Sequence, residues 1–236
     1  MKSLVPAMAV LAIAGASAHA SVLLTGTRVI FSAEQKEKTL QFTNPDDHPN
    51  LVQVWVDTGS PDSTLATADA PFIANPQIFR IEAKAGQMVR LLYTGGDELP
   101  QDRESVFFLN FTQVPALSAA SQDANKLVLI FSSRLKVFYR PKGLAGSPSQ
   151  MAGQLQFHLA DGQLRVDNPT GYHAVVRQAS LMVGGSRIPL AESVTIAPKS
   201  SVSWKIGRSG DLGQARLRIV LVNDYGVDVV DELPLH

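Results

Sequence analysis

The sequence has no cysteine, no excess of either charge and few aromatic residues. Its 236 residues carry 21 basic and 21 acidic side chains, and 7% of them are aromatic. Because disulfides are excluded, each core must be large enough to be stable without covalent links. The balanced charge disfavours a nucleic acid or another polyanion as partner. The low aromatic content argues against a carbohydrate-binding surface made of exposed rings.

Long apolar runs are missing beyond the N-terminus. Met1-Lys2 is a short basic start, Val5 to Ala16 is apolar or small, and Ala18-His19-Ala20 fits the small-x-small cleavage pattern. We therefore predict that residues 1–20 are a secretory signal peptide cleaved after Ala20; an N-terminal membrane anchor is the alternative. Cleavage removes one lysine and no acid, which leaves 20 basic and 21 acidic residues. No later stretch reaches the roughly eighteen apolar residues of a membrane helix, so no membrane insertion is expected.

The rest of the chain has the pattern of an all-β protein. Short strand-like segments alternate with turn-rich pieces, among them Asp161-Gly162, which is a hairpin signal. Seven strand candidates lie between residues 21 and 139, the number typical of an immunoglobulin-like sandwich. The Pro- and Gly-rich stretch 141–148 is typical of a linker. We predict two immunoglobulin-like β-sandwich domains in tandem, residues 21–140 and 149–236, joined by this linker.

The most informative stretch runs from Lys126 to Tyr139 and is predicted to form one strand. Its first half, up to Phe131, is apolar on both faces. Strands of this kind are normally buried inside sheets. Since the predicted linker follows at once, an edge kept apolar for a partner is the alternative, and periodicity alone does not decide between the two.

Motifs of catalysis are missing from the sequence. One histidine leaves with the signal peptide, and the other four, at positions 48, 158, 173 and 236, form no close metal-ligand pair. There is no Gly-x-Ser-x-Gly elbow, no phosphate-binding glycine loop and no His-Glu-x-x-His. We predict no enzymatic activity, no metal and no cofactor.

Three local patterns, taken together and in order, resemble one family. They are Pro100-Gln101-Asp102-Arg103-Glu104-Ser105, Lys136-Val137-Phe138-Tyr139-Arg140-Pro141 and Asn223-Asp224-Tyr225-Gly226, preceded by Arg28 eight residues into the mature chain. With them the chain resembles the PapD-like periplasmic chaperones of the chaperone–usher pilus pathway. The resemblance implies two sandwiches arranged as a boomerang or L, a periplasmic location, and pilin subunits and an outer-membrane usher as partners.

The resemblance also implies how a subunit is held. A pilin subunit lacks the final strand of its fold, and the chaperone lends it the last strand of its own first domain. Leu127, Leu129 and Phe131, spaced two residues apart, would enter the subunit groove together. Val128 and Ile130, on the other face, would pack into the sandwich of the chaperone itself.

The same resemblance assigns Arg28 and Lys136 as the anchor for the C-terminal carboxylate of the subunit. The chemistry suits this role, because Arg grips a carboxylate bidentately and Lys adds a compact second charge. Lys136 has the opposite strand parity from the donor side chains. We therefore expect a β-bulge or twist at Ser132-Ser133 that reconciles the two.

An interdomain ion cluster of Glu104, Arg140 and Asp224 is the third implied feature. Because burying charges is costly, we expect it to set the angle between the domains more than to add stability.

Two other functions stay open from the sequence. One is a pilus subunit or adhesin of the same pathway, and the other is a secreted β-sandwich protein, structural or carbohydrate-binding, of a surface organelle.

Overall fold

The computed structural model describes residues 22–95, 98–116, 127–207 and 215–235. Regular structure in these ranges is almost entirely β. The helical exceptions are a short 3₁₀ turn over Pro148–Gln150 and the four-residue helix α1 over Met151–Gln154. No helix in the described ranges is long and apolar enough to cross a membrane.

Nine strands build the first sandwich from two facing sheets. One sheet has the order β1-β3-β7-β5 and the other the order β2-β9-β8-β4-β6. The strands are β1 (Leu23–Leu24), β2 (Arg28–Ser32), β3 (Glu37–Thr43), β4 (Asn50–Asp57), β5 (Phe72–Asn75), β6 (Ile78–Ile81), β7 (Gly86–Tyr93), β8 (Ser105–Pro115) and β9 (Phe131–Arg140). The chain crosses from the first sheet to the second at Gly26, whose φ of 95° suits glycine.

Alternation of apolar and polar residues explains why these segments form a sandwich. In β3, Leu40 and Phe42 are buried while Gln41 between them is exposed. The Phe42 ring meets the Phe111 ring of the opposite sheet edge-on, with centroids 5.2 Å apart. Contacts of this kind between inward-facing rows close the first core.

Seven further strands build the second sandwich around a separate core. Its sheets have the orders β10-β11-β14 and β13-β12-β15-β16. The strands are β10 (Gln156–Ala160), β11 (Gln163–Asn168), β12 (Ala174–Val183), β13 (Ser186–Ile196), β14 (Ser200–Lys205), β15 (Arg216–Val222) and β16 (Asp228–Pro234). Asp161 and Gly162 join β10 to β11 with φ of 50° and 70°, which confirms the predicted hairpin.

The two sandwiches touch directly as well as through the connecting segment. The backbone N–H of Glu104 donates to the carbonyl of Gly171 at 2.8 Å, and the hydroxyl of Tyr172 donates to the carbonyl of Leu144 at 3.2 Å. A Cβ at Gly171 would lie 3.1 Å from the carbonyl oxygen of Asp102. Glycine at this position therefore permits the close approach of the two domains.

Candidate functional site

Strand β9 has a neighbour on one side along its whole length and on the other side along only half of it. It pairs with β8, antiparallel, from Phe131 to Tyr139. It pairs with β2, parallel, only from Lys136 to Arg140. On the side away from β8, the backbone of Phe131–Leu135 consequently has no strand partner among the described residues. We call this stretch the open edge.

The predicted donor side chains lie at and just before the open edge and are exposed to solvent. Leu127 is 85% exposed, Leu129 55% and Phe131 50%. Residues 127–131 together are called the donor segment.

The strand begins later than the sequence pattern predicts. Residues 127–130 are not part of β9, which starts at Phe131 and not at Lys126. Lys126 itself lies outside the described residues. The pairing of β9 with β8 begins at Phe131 and Gln113, although β8 itself continues two residues further, to Pro115. Residues 127–130 of the donor segment pair with no described strand.

The prediction that Val128 and Ile130 pack into the first sandwich is wrong. These side chains are 37% and 59% exposed, and neither belongs to the first core. They precede the paired part of the strand, so the sandwich does not extend far enough to cover them. The apolar side chains on both faces of the donor segment are therefore exposed to solvent in the free protein.

The expected irregularity at Ser132-Ser133 is also absent, because β8 and β9 keep one register throughout. Leu135, Val137 and Tyr139 contact the first core, and Phe131 shares their parity within the strand. Phe131 thus continues the core-facing row past the end of the sandwich, whereas Lys136 points to the opposite face. No bulge is needed, since the two groups can act on different faces.

Arg28 and Lys136 are register partners in neighbouring strands, at the place where β2 begins. Each cation donates to the second domain. Arg28 Nη1 lies 3.0 Å from the carbonyl oxygen of Val222, and Lys136 Nζ lies 2.5 Å from Thr195 Oγ1. Neither forms an ion pair with a carboxylate in the described part of the chain, and Arg28 Nε is buried without a hydrogen-bond partner. We call Arg28 and Lys136 the anchor pair.

The anchor pair lies in a place that disfavours positive charge. Burial lowers the pKa of Lys136 below its ordinary value, and the neighbouring charge of Arg28 lowers that pKa further. Burial likewise lowers the pKa of Arg28, against the opposing effect of Asp224. Two cations that are partly desolvated and lack a carboxylate partner form a good receptor for an anion.

The predicted ion cluster is brought together across the domain junction. Arg140 Nε donates to Glu104 Oε1 at 2.7 Å, while its Nη1 and Nη2 donate to the two Asp224 oxygens at 2.7 and 2.9 Å. Burial alone would lower the pKa of Arg140, but the hydrogen bonds and charges of Asp224 and Glu104 outweigh burial and raise it. We call Glu104, Arg140 and Asp224 the hinge cluster.

A cavity of about 390 Å³ lies at the same junction. Arg28, Phe138 and Arg140 line it from the first domain, and His173 and Leu221 are among the residues that line it from the second. Arg28 of the anchor pair and all three residues of the hinge cluster thus border one cleft between the sandwiches.

Sequence reasoning missed three groups of the second domain that hold the anchor pair and the hinge cluster. The Thr195 hydroxyl and the Val222 carbonyl hold the anchor pair, and His173 donates its backbone N–H to Glu104 Oε2 at 2.8 Å. A backbone carbonyl or amide has no sequence signature. A single Thr on a strand predicts nothing by itself, so no available signal identified these groups.

The described residues contain no group of three or more His, Asp or Glu side chains arranged to hold a metal ion. The site is instead an exposed apolar segment, a half-open strand edge and a pair of cations beside a cleft. Such a combination is suited to binding a polypeptide with a free carboxylate.

Comparison with known proteins identifies the family. Residues 21–145 match the family model described as pili and flagellar-assembly chaperone, PapD N-terminal domain. Residues 150–232 match the model for the pili assembly chaperone PapD, C-terminal domain. The chain belongs to the family of PapD-like pili assembly chaperones.

Individual relatives agree with this assignment. The probable fimbrial chaperone YadV of Escherichia coli K12 is 38% identical over 217 residues, which cover 89% of this chain and 88% of YadV. The chaperone HifB of Haemophilus influenzae is 37% identical, over 90% of this chain and 87% of HifB. The family assignment leaves the role of a secreted structural or carbohydrate-binding protein unsupported.

Solved structures match the fold as well. The crystal structure of YadV aligns with a TM-score of 0.78 at 36% identity, covering 92% of this chain and 100% of the chain in that structure. A Salmonella enterica SafB chaperone, solved in complex with the SafA pilin, aligns with a TM-score of 0.74 at 28% identity, over 91% of this chain and 95% of the matched chain. The predicted pair of tandem immunoglobulin-like sandwiches is confirmed.

Proposed function

We propose that this protein is a periplasmic chaperone that binds, folds and caps pilus subunits by donating β9 and the donor segment, and then delivers them to an outer-membrane usher. Membership of the PapD-like family supports the proposal. So does the related SafB, which was solved bound to a pilin. The family role is that of a chaperone and not of an enzyme.

One observation carries the mechanism: the open edge of β9 stops where β2 begins. A strand added along Phe131–Leu135 would lie in line with β2 and could not continue past Arg28, because β2 occupies that side of β9 from Lys136 onward. The end of the added strand would therefore meet the anchor pair. The geometry of the sheet thus favours a partner whose chain terminates there.

The charge of the anchor pair then selects the direction of the added strand. A strand parallel to β9 would bring its C-terminal carboxylate to Arg28 and Lys136, where it would gain charge-assisted hydrogen bonds. An antiparallel strand ending at the same place would bring its ammonium group against two cations. Recognition of a free C-terminus would also set the register of the pairing.

The donor segment would supply most of the favourable energy. Burying Leu127, Leu129 and Phe131 in an apolar groove is worth about 5–9 kcal/mol in total. Each backbone hydrogen bond along the open edge adds about 1 kcal/mol. Since association itself costs roughly 4–15 kcal/mol, the result is a tight complex that can still be released to a later partner.

Three further parts of the proposal concern the organisation of the chain. Residues 1–20 are a signal peptide cleaved after Ala20, so that the mature protein resides in the periplasm. The pilin-binding domain ends at residue 140, and 141–148 is the linker to the second domain. The hinge cluster sets the angle between the sandwiches, because one guanidinium is shared between Glu104 of the first domain and Asp224 of the second.

Co-purification from the periplasm tests the proposal. The tagged protein is expressed with the secreted proteins encoded beside it, as wild type, as Lys136→Ala and as Lys142→Ala. Lys142 is a matched control, because it is an exposed lysine that pairs with Glu34 outside the cleft. Wild type and Lys142→Ala should retain a pilin-sized protein in a 1:1 complex, and Lys136→Ala should lose it while remaining folded. If folded wild type retains no such protein, donor-strand binding is refuted for this chain.

A further inference from the structure

The outward face of the sheet that carries β9 holds an ion pair, buried on one side only, that is separate from the anchor pair and the hinge cluster. Arg134 of β9 donates to both carboxylate oxygens of Asp57, at 2.7 and 2.9 Å. Asp57 is the last residue of β4 and is fully buried. Because β8 lies between β9 and β4, the Arg134 side chain spans the strand that separates them.

Both partners of this ion pair make further hydrogen bonds, and all of them are to residues of the first domain. Arg134 Nη1 also donates to Asn110 Oδ1 at 2.9 Å and to the carbonyl of Ser60 at 3.0 Å, and the guanidinium lies 4.3 Å from the centroid of the Phe108 ring. The Asp57 carboxylate accepts further hydrogen bonds from Asn110, Ser63 and the backbone of Gly59. A bidentate, fully hydrogen-bonded pair of this kind is geometrically rigid.

The position of Arg134 on β9 gives this rigidity a consequence for binding. Arg134 lies on the open edge, three residues after Phe131 of the donor segment and two before Lys136 of the anchor pair. In this stretch β9 has only β8 beside it. A strand with a single neighbour would fray more readily than one paired on both sides.

Resting on the proposed function, we propose that Arg134 is a positioning residue for subunit capture, held by Asp57. The Arg134–Asp57 brace ties β9 to β4 through side chains on one face of the sheet, so the backbone N–H and C=O groups of the open edge stay free for an added strand. It also keeps a constant distance between the donor segment and the anchor pair. An added strand can then fill its groove and place its carboxylate in one register.

The test variant must remove the brace without leaving a buried charge. Arg134→Ala alone would strand the Asp57 carboxylate and endanger the fold. The double variant Asp57→Asn/Arg134→Gln is neutral, keeps hydrogen-bonding groups in place and lacks the bidentate grip. The control is Val89→Ala, which creates a cavity in the first core from β7 of the opposite sheet and lowers stability while leaving the Arg134–Asp57 pair intact.

Amide hydrogen exchange in the free protein is the first measurement. Phe131 and Ser133, whose N–H groups face β8 while that of Ser132 faces the open edge, should exchange about tenfold faster in the double variant, the factor expected for one lost charge-assisted hydrogen bond. Amides of β3 and β7 should be unchanged. In Val89→Ala the amides of β3 and β7 should exchange faster, and those at the start of β9 should exchange at the wild-type rate. This difference separates local positioning from a general loss of stability.

Release of the subunit is the second measurement, and its probe is the subunit recovered with wild type in the co-purification above. The double variant should release it about tenfold faster, and Val89→Ala should release it at the wild-type rate. Exchange and release both within about twofold of wild type would overturn the brace. If wild type retains no subunit, the proposed function fails, while the exchange measurement still supports or overturns the brace.

Discussion

The last strands of the two sandwiches present opposite kinds of edge to solvent. Strand β16 ends its sheet and carries Asp228, Asp231, Glu232 and Pro234 within seven residues. The donor segment, which ends at the first residue of β9, has five consecutive apolar residues and no charge. Both stretches are exposed, so the difference does not come from burial.

The difference shows which edge is available to a partner. Proteins protect exposed strand edges with charged side chains and proline, because bare apolar edges pair with other chains. On β16, Val229 and Val230 are exposed, but they lie between carboxylates, and Asp228 is paired with Arg177. The donor segment of the same molecule has no such protection, which fits a stretch that a bound subunit would cover.

The largest effect is expected from giving the donor segment the character of β16. Leu129→Glu places a carboxylate in the apolar groove of the subunit and should weaken binding by at least about 4 kcal/mol, a thousandfold. The fold should be unaffected, because Leu129 is exposed in the free protein. Subunit retention is the measurement, with unfolding in urea as the check on stability.

The matched control for this change is Val230→Glu, at a similarly exposed valine of β16. It should leave subunit binding unchanged. Equal losses in the two variants would mean that the donor segment has no special role and that the comparison between the edges is mistaken.

A smaller effect is expected where the two last strands are connected. Arg140 ends β9, and Asp224 lies in the turn that leads into β16. Arg140→Ala leaves Glu104 buried without its cation and should lower the free energy of unfolding by about 3 kcal/mol. The free energy of unfolding is measured in urea. Lys136→Ala is measured beside it and should change stability little, because Lys136 pairs with no carboxylate of the described residues.

A contrary result would be equally informative for the hinge cluster. If Arg140→Ala keeps wild-type stability but loses subunit binding, the cluster acts on the interdomain angle alone. If neither property changes, the hinge cluster has no role in the proposed mechanism.

The sequence predicted the fold well because its signals are local. Alternation within strands such as β3 and the Asp161-Gly162 turn depend on neighbouring residues, and the structure has both. The motifs around Glu104, Arg140 and Asp224 named three residues that the fold brings into contact. The alternation and the turn needed no knowledge of distant partners, whereas the cluster was predicted only through the family resemblance that these motifs carry.

The errors concern pairing between distant segments. Lys126 was predicted to start the strand because the sequence stays apolar, yet the strand starts at Phe131, where the pairing with β8 begins. Ile130 was assigned to the first core on periodicity, although its side chain is exposed and lies outside the first core. Asp57 and Arg134 lie 77 residues apart and show no pattern that would join them. Apolar character predicts that a segment needs cover but not what supplies it.

The smallest expected effect is a pH dependence at the point where the open edge meets β2. Burial and the charge of Arg28 hold the pKa of Lys136 below its ordinary value in the folded protein. Between this lowered pKa and the ordinary one, the unfolded chain binds more protons, so the contribution of Lys136 to the free energy of unfolding rises with pH. A subunit carboxylate favours the charged lysine, so affinity should fall as pH rises through the lowered pKa, by at most about tenfold per pH unit.

Stability and affinity should therefore change in opposite directions, which separates the anchor pair from an ordinary surface lysine. The measurement is subunit affinity, together with urea unfolding, from about pH 7 to about pH 10. Lys136→Arg keeps its charge throughout this range, so its affinity should stay level where that of wild type declines. If the wild-type affinity is as level as that of Lys136→Arg, Lys136 does not bind the carboxylate. Arg28 would then be the one remaining cation of the anchor pair, and the direction of the added strand would depend on it alone.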